Sequence, residues 1–259
     1  MSILFASPNW SKYERYLRQS FRENKLNFNE VTTNLQTDQT EVEFIICEPT
    51  DYVKDFSSFI KAKAVLSLWA GVDNLIKNKT LDKPIVRLVD DGMKQGMIEW
   101  CLAHVLRHHL GIDTHIKNQD GVWRSQIIPP LANEITVGVL GLGALGSAVA
   151  IALASIGFNV TGWSRTEKNI ANVKTFSGTG NLNQVLKEAH ILITLLPLTT
   201  ETKYILNDTT LNQLPKKSII INPGRGLLID DNALLKSLNS GHIRHATLDV
   251  FSREPLTSS

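Results

Sequence analysis

The sequence predicts an α/β protein with two domains, each built on a parallel β-sheet. Short apolar runs alternate with segments of helical periodicity, a pattern typical of parallel sheets covered by helices on both faces. The length of 259 residues suits one large domain or two ordinary ones. The composition, 42% apolar and 20% charged, excludes a disordered chain and provides enough apolar side chains for a sizeable core.

Residues 1–92 are predicted to form the smaller domain. Four brief apolar runs, at residues 3–6, 44–47, 65–68 and 85–88, are bounded by turn or polar residues and predict buried strands. Apolar residues at helical spacing predict helices over residues 10–23 and 53–62. Strands that alternate with helices in this way favour a parallel sheet.

Residues 93–259 are predicted to form a larger and more regular domain. A helix over residues 93–110 leads into an irregular stretch, 112–134, which the Pro129–Pro130 pair interrupts. Strands are then predicted at 135–140, 159–163, 191–195, 218–221 and 245–250, and helices at 144–156, 182–189 and 230–238. This order is typical of a doubly wound sheet of the dinucleotide-binding type.

A glycine-rich turn joins the first strand of the larger domain to the helix that follows it. The GxGxxG pattern is formed by Gly141, Leu142, Gly143, Ala144, Leu145 and Gly146. Gly141 permits the tight turn, Gly143 lets a pyrophosphate approach the backbone, and Gly146 allows close packing of helix on strand. The turn predicts a bound dinucleotide, although S-adenosylmethionine sites use related turns.

The end of the next strand indicates which dinucleotide is bound. NAD sites usually place a carboxylate about 20 residues after the glycines, where it accepts hydrogen bonds from the ribose hydroxyls. Here the strand ends in Ser164, Arg165 and Thr166. Arg165 can pair with a 2′-phosphate, and the two hydroxyls can hydrogen-bond it without repulsion. These residues favour NADP(H) over NAD(H).

Several segments together resemble the D-isomer-specific 2-hydroxyacid dehydrogenases, and most closely their glyoxylate/hydroxypyruvate reductase A group. The matching segments are SLWAGVD (67–73), GLGALG (141–146), WSRT (163–166), LLP (195–197), NPGRG (222–226) and DVFSREPL (249–256). The resemblance implies a flavodoxin-like substrate domain, and a Rossmann domain for the nucleotide inserted into it. It also implies a homodimer formed through the nucleotide domain, and NADP(H)-dependent reduction of small 2-oxo acids such as glyoxylate and hydroxypyruvate.

The resemblance also implies roles for single residues. Arg225 corresponds to the substrate-binding arginine, and a guanidinium suits the carboxylate of a 2-oxo acid. Glu254 corresponds to the acid that holds a catalytic histidine. Substrate contacts are implied for Trp69, Ala70 and Gly71, with Trp69 standing where relatives often have glycine and narrowing the pocket. Cofactor contacts are implied for Leu196, Pro197 and Asp249.

The catalytic histidine of the family lies beyond Ser259, so the chain is expected to be truncated before it and to lack the return segment of the substrate domain. Two interpretations stay open: a reductase, or a non-catalytic NADP(H)-binding protein or dimer partner. His104 and His108 have i,i+4 spacing, but no HExxH glutamate lies between them, and no metal is predicted.

Composition also bears on partners and location. Lys and Arg number 27 against 25 Asp and Glu, so neither a nucleic acid nor a membrane surface is predicted as a partner. No apolar run approaches the roughly 20 residues of a membrane helix. Cys47 and Cys101 lack the CxxC spacing of metal and redox motifs, which favours a reducing compartment. Without a secretory-signal pattern, the predicted location is the cytoplasm.

Overall fold

The computed structural model describes residues 2–50, 52–126 and 128–256. The chain divides into two compact units, Met1–Val89 and Asp90–Ser259. This division lies close to the boundary predicted between residues 92 and 93. Both units contain a parallel sheet with helices, as the sequence predicted.

The first unit contains one five-stranded parallel sheet. Its elements in chain order are β1 (Ile3–Ala6), α1 (Trp10–Glu23), β2 (Val31–Thr32), β3 (Phe44–Cys47), β4 (Ala64–Ser67), α2 (Asp73–Lys77) and β5 (Ile85–Val86). The strand order β2-β1-β3-β4-β5 is the flavodoxin-like order. Phe5 and Ile45 are buried in two separate apolar clusters of this unit.

The helix predicted over residues 53–62 is wrong, because this segment forms a series of turns. The Asp55 side chain accepts a hydrogen bond from the backbone N–H of Ser57, and the Phe56 N–H donates to the hydroxyl of Thr80. Such side-chain bonds compete with the helical backbone pattern. The helical spacing of apolar residues arose because Phe56 and Phe59 both point into the core from these turns.

The second unit contains one six-stranded parallel sheet and six helices within the described residues. Its elements are α3 (Asp91–His109), α4 (Ile112–Lys117), β6 (Thr136–Leu140), α5 (Ala144–Ser155), β7 (Asn159–Ser164), β8 (Lys174–Ser177), α6 (Leu182–Leu186), β9 (Ile191–Thr194), α7 (Asp208–Leu211), β10 (Ser218–Asn222), α8 (Asp231–Asn239) and β11 (Ile243–Leu248). The strand order is β8-β7-β6-β9-β10-β11, which is the Rossmann order.

Apolar clusters cover both faces of this second sheet. One cluster joins Val149 and Leu153 of α5 to Val105 of α3, and the other contains Val185 of α6 and Leu234 of α8. Burial on both faces explains why the central strands are continuously apolar. No helix within the described ranges has both the length and the apolar character needed to cross a membrane.

Candidate functional site

The strand order of the second unit reverses between β6 and β9. Ligands of doubly wound sheets bind outside the carboxyl ends of the strands at such a point. The glycine turn follows β6, the 164–166 segment ends β7, Leu196 and Pro197 follow β9, and the Arg225 loop follows β10. The fold therefore brings these four predicted segments to one edge of the sheet.

Gly141 and Gly146 are required by packing. Gly141 has a φ of 103°, and a Cβ atom there would lie 2.5 Å from the carbonyl oxygen of Leu195. A Cβ atom at Gly146 would lie 1.7 Å from the carbonyl oxygen of Gly141. Only glycine at both positions allows α5 to begin so close to β6, as the sequence analysis expected.

Gly143 is different, because a Cβ atom there would meet nothing within 4 Å. Gly143 and Ala144 are exposed at the N-terminus of α5, which is 12 residues long. The first N–H groups of a helix lack partners within the helix, and the helix dipole favours an anion beside them. The space at Gly143 therefore fits a pyrophosphate that approaches the backbone.

Leu142 and Leu145, the two leucines of the turn, pack at least partly against the rest of the protein. Leu142 is 2% exposed and packs under β7, where a Cβ atom at Gly162 would lie 2.7 Å from its side chain. Leu145 is half-buried. Only the backbone of Leu142 is therefore available to a ligand.

The 164–166 segment is held in place by Trp163, whose indole N–H donates to the carbonyl of Gly178 at 2.8 Å. Arg165 and Thr166 are exposed, whereas Ser164 is buried and its hydroxyl donates to the carbonyl of Thr166 at 2.7 Å. The proton of Ser164 is thus already used within the segment. Arg165 and Thr166 are the side chains free to reach a phosphate.

Glu201 lies close enough to Arg165 to respond to its charge, and sequence reasoning missed it. The pKa of the Glu201 carboxyl is lowered, mainly by the Thr199 side-chain hydrogen bond and to a smaller extent by the positive charge of Arg165. No sequence pattern links these two positions, because they lie on different loops.

The Arg225 loop is built on a buried amide. Asn222 is 1% exposed; its side-chain oxygen accepts from the Gly224 N–H at 3.0 Å and from the Thr194 hydroxyl at 2.6 Å. Its side-chain nitrogen donates to the carbonyl of Arg225 at 3.0 Å. The half-buried Arg225 side chain donates to the carbonyl of Gly224 at 2.7 Å. The guanidinium therefore stands on a loop with a fixed backbone.

The segment after β11 packs against this loop. A Cβ atom at Gly226 would lie 1.9 Å from the carbonyl of Phe251, so the two backbones are in direct contact. The exposed Glu254 accepts a hydrogen bond from the Phe251 N–H at 2.7 Å. The N–H of the exposed Asp249 donates to the carbonyl of Asn222 at 3.1 Å. Glu254 and Asp249 thus contribute to the order of the Arg225 loop.

Leu196 and Pro197 differ in their surroundings. Leu196 is 8% exposed and belongs to the apolar cluster on the α6 and α8 face, whereas Pro197 is exposed and its carbonyl accepts from the hydroxyl of Thr202 at 2.7 Å. Of the two, Pro197 is available to a cofactor ring.

Trp69, Ala70 and Gly71 lie in the first unit, in the connection from β4 to α2. The Trp69 side chain is 45% exposed, and its backbone N–H donates to the hydroxyl of Ser67 at 3.2 Å. Ala70 and Gly71 are half-buried. The turn follows the carboxyl end of a parallel strand, as a ligand-binding turn of such a sheet would.

A histidine cluster lies between α3, α4 and β11. Ligand atoms of His108, Asp113 and His245 lie within 4.8 Å of one another. Burial, followed by the charge of His245, lowers the pKa of His108 to about 4. Arg107 contacts the Asp113 carboxylate at 2.7 Å and competes with a cation for it. His104 is not part of this group, and the absence of a metal stays a prediction.

The comparisons with known proteins bear directly on this site. Residues 100–259 match the family model of the D-isomer specific 2-hydroxyacid dehydrogenase, NAD binding domain. The glyoxylate/hydroxypyruvate reductase A of Yersinia enterocolitica is 38% identical over 226 residues, which are 82% of this chain and 72% of that protein. The protein of the same name from Klebsiella pneumoniae is 40% identical over 202 residues, 75% of this chain and 64% of that protein.

Solved structures also match the whole chain, among them the following two. A D-isomer specific 2-hydroxyacid dehydrogenase from Xanthobacter autotrophicus Py2, in complex with NADPH and MES, has a TM-score of 0.89 and 37% identity. The NADPH-dependent glyoxylate/hydroxypyruvate reductase of Sinorhizobium meliloti, in complex with NADP and sulfate, has a TM-score of 0.84 and 31% identity. This chain covers 83% of the first protein and 84% of the second.

Proposed function

The chain belongs to the D-isomer-specific 2-hydroxyacid dehydrogenase family, and we propose that it reduces small 2-oxo acids to 2-hydroxy acids with NADPH. The observation that carries this proposal is the presence of Arg225 and the glycine turn at one edge of the same sheet. An arginine for a carboxylate beside a site for a pyrophosphate suits hydride transfer to an anionic substrate. The names of the relatives favour glyoxylate and hydroxypyruvate as the substrates.

We assign the cofactor to the glycine turn and the end of β7. The N–H groups at Gly143 and Ala144 would hold the pyrophosphate, and Arg165 and Thr166 would hold the 2′-phosphate. Pro197 and the 249 position would contact the rest of the molecule. When bound, the cofactor supplies the hydride.

We assign the substrate carboxylate to Arg225. The planar guanidinium can donate two parallel hydrogen bonds, which orient the carboxylate and draw electron density from the adjacent carbonyl. The substrate contacts that the resemblance implies for Trp69, Ala70 and Gly71 stay predictions. Glu254, with one carboxylate oxygen fixed by the Phe251 N–H, would hold the proton donor through its other oxygen, whether that donor is a histidine, as in the family pattern, or a water molecule.

A cofactor-oxidation assay tests the proposed reaction. The chain is incubated with NADPH, and the loss of NADPH absorbance is followed after addition of glyoxylate or hydroxypyruvate. We expect oxidation that depends on the 2-oxo acid and is lost in Arg225→Ala. Saturable NADPH binding without any oxidation would contradict the reductase and support a non-catalytic NADP(H)-binding protein.

The preference for NADPH is expected to depend on Arg165. In Arg165→Ala, loss of a charge-assisted contact should raise the dissociation constant for NADPH about 10- to 100-fold. The constant for NADH should not change, because NADH lacks the 2′-phosphate. Fluorescence titration with each cofactor measures both constants. Lys168→Ala, which removes another exposed cation from the same loop, is the matched control. Equal effects of Arg165→Ala on both cofactors would contradict the assignment.

We also propose a homodimer formed through the second unit. The stretch from the end of α3 to β6 exposes a group of large apolar side chains, namely Leu110, Ile112, Ile116, Val122, Trp123, Ile128 and Leu131. Trp123 is 90% exposed and Ile128 is 82% exposed. Exposed large apolar side chains concentrated in one stretch of the chain suit an interaction surface.

The dimer is tested by light scattering coupled to size-exclusion chromatography. The wild-type chain should elute with twice the mass of one chain, and Trp123→Asp combined with Ile128→Asp should give monomers, because two charges cannot be buried unpaired at an interface. Ile76→Asp, at a side chain of the first unit that is 69% exposed, is the control and should stay dimeric. A monomeric wild type, or a dimeric double variant, would refute the proposal.

We place the protein in the cytoplasm. Cys47 and Cys101 are both unpaired and buried, and burial raises the pKa of each thiol to about 12. Thiols of this kind are unreactive and suit a reducing compartment, which is also where disulfides are rare.

A further inference from the structure

The buried hydrogen bond between Thr194 and Asn222 links β9 to the Arg225 loop. Thr194 is 0% exposed at the end of β9, and Asn222 is 1% exposed at the end of the neighbouring strand β10. The Thr194 hydroxyl donates to the Asn222 side-chain oxygen at 2.6 Å. Buried polar side chains at the carboxyl ends of two mainly apolar strands must be hydrogen-bonded, because burial of a polar group is costly unless it is paired.

The contacts of Asn222 identify what the pair holds. Its side-chain oxygen also accepts from the Gly224 N–H at 3.0 Å, and its side-chain nitrogen donates to the Arg225 carbonyl at 3.0 Å. Because the side-chain oxygen accepts two hydrogen bonds and the side-chain nitrogen donates one, the orientation of the amide group is fixed. Asn222 thus holds the backbone of the loop at Gly224 and at Arg225, and the hydroxyl of Thr194 holds the Asn222 side chain in place.

The backbone of the loop is confined by β9 as well. A Cβ atom at Gly224 would lie 2.8 Å from the carbonyl oxygen of Thr194, so the loop lies directly against the end of β9. β9 also leads into Leu196 and Pro197, the segment that we assign to the cofactor. Thr194 is therefore part of the strand that leads to the cofactor segment, and it contacts the loop that carries the substrate arginine.

We propose that Thr194 is a positioning residue for substrate binding, which acts through Asn222 to set the backbone from which the Arg225 side chain extends. The inference rests on the proposed function, because it needs Arg225 to bind the carboxylate. Bidentate recognition depends on orientation, so a small movement of the loop weakens substrate binding while the glycine turn and the cofactor site are unaffected.

The test measures two affinities of the full chain by isothermal titration calorimetry. One is for NADP⁺, and the other is for oxalate added to the protein saturated with NADP⁺, since oxalate resembles a 2-oxo acid and cannot be reduced. We expect Thr194→Val to raise the dissociation constant for oxalate about 5- to 30-fold and to leave that for NADP⁺ unchanged. Thr194→Ser keeps the hydroxyl and should restore oxalate binding. Thr194→Ala carries the same expectation should the valine variant fail to fold.

Thr161→Val is the matched control. Thr161 is a 4% exposed threonine on β7 of the same sheet, and its hydroxyl has no hydrogen-bond partner among the described residues. The variant makes the same chemical change without breaking a bond, and should leave both affinities unchanged. A general loss of stability would instead weaken both ligands in Thr194→Val and would not be reversed by serine.

A second arm shows whether the effect passes through Arg225. Lysine carries a compact charge on a flexible stem, so its binding depends less on the orientation of the loop. In an Arg225→Lys background, Thr194→Val should therefore have a smaller effect on oxalate affinity. An equal effect in both backgrounds, or wild-type oxalate affinity in Thr194→Val, would overturn the inference while the proposed function stands. Failure of the wild-type ternary complex to form would overturn both.

Discussion

Arg225→Ala should lose most of its affinity for 2-oxo acids and keep its affinity for NADPH. The guanidinium is the cation that we assign to the substrate carboxylate, and its loop is fixed by Asn222 and by contact with Phe251. Removal of one partner of a hydrogen-bonded charge pair typically costs about 2–5 kcal/mol, so the dissociation constant for oxalate should rise by a factor of about 30 to 4,000. The oxalate affinity of Arg225→Lys should lie between those of the wild type and of Arg225→Ala, because lysine keeps the charge and loses the planar guanidinium.

Calorimetric titration of the NADP⁺ complex with oxalate measures this loss, and titration with NADP⁺ alone provides the internal reference. Arg253→Ala removes an exposed arginine of the same unit and should change neither affinity. If Arg225→Ala bound oxalate as the wild type does, the carboxylate would have to be held elsewhere and our assignment of the substrate site would be wrong.

Gly143 and Gly146, both at the start of α5, should differ in how much stability they lose when each is replaced by alanine. At Gly146 the new Cβ atom would lie 1.7 Å from the carbonyl oxygen of Gly141, so α5 must move away from β6. We expect Gly146→Ala to destabilise the second unit by more than about 3 kcal/mol and to abolish NADPH binding.

At Gly143 the new Cβ atom meets no neighbour within 4 Å, and the backbone is in an extended conformation that alanine adopts. The melting temperature of the unliganded Gly143→Ala protein should therefore fall by only a few degrees, which reflects the poorer helix cap. Its NADPH affinity should nevertheless fall about 10- to 100-fold, because the methyl group occupies the space of the pyrophosphate. Thermal unfolding and fluorescence titration of both variants measure the difference. Equal losses of stability in the two would contradict the packing account.

The parts of the fold that could be predicted from sequence are those with a local signal. Each long apolar strand of the second sheet and the glycine turn after β6 have such a signal, because turn chemistry and burial act over a few neighbouring residues. β8 lacked one, since its residues Lys174 to Ser177 are exposed or only half-buried at the edge of the sheet. The turns at residues 53–62 were missed because their backbone conformation depends on a hydrogen bond from the Phe56 N–H to the hydroxyl of Thr80, which lies 24 residues further along the chain.

The residues of the candidate site likewise divide into those with a local sequence signal and those without one. Gly141, Gly146 and Arg225 stand in motifs whose spacing carries the chemistry. Asn222 stands in the same NPGRG segment as Arg225, but no motif spacing marks its contact with Thr194, because the contact joins residues 28 positions apart and forms only when β9 and β10 pair. The one available signal is a polar residue at the end of each apolar strand, and that pattern alone does not distinguish a buried pair from an exposed turn.

Equilibrium binding of NADPH and NADH to the full chain tests the central claim most directly. The account predicts saturable binding of NADPH, seen as a change in its fluorescence, with an affinity at least about tenfold higher than that for NADH, because Arg165 and Thr166 meet the 2′-phosphate. Equal affinity for the two cofactors would contradict the assignment of Arg165, and the absence of saturable NADPH binding would contradict the proposed function itself.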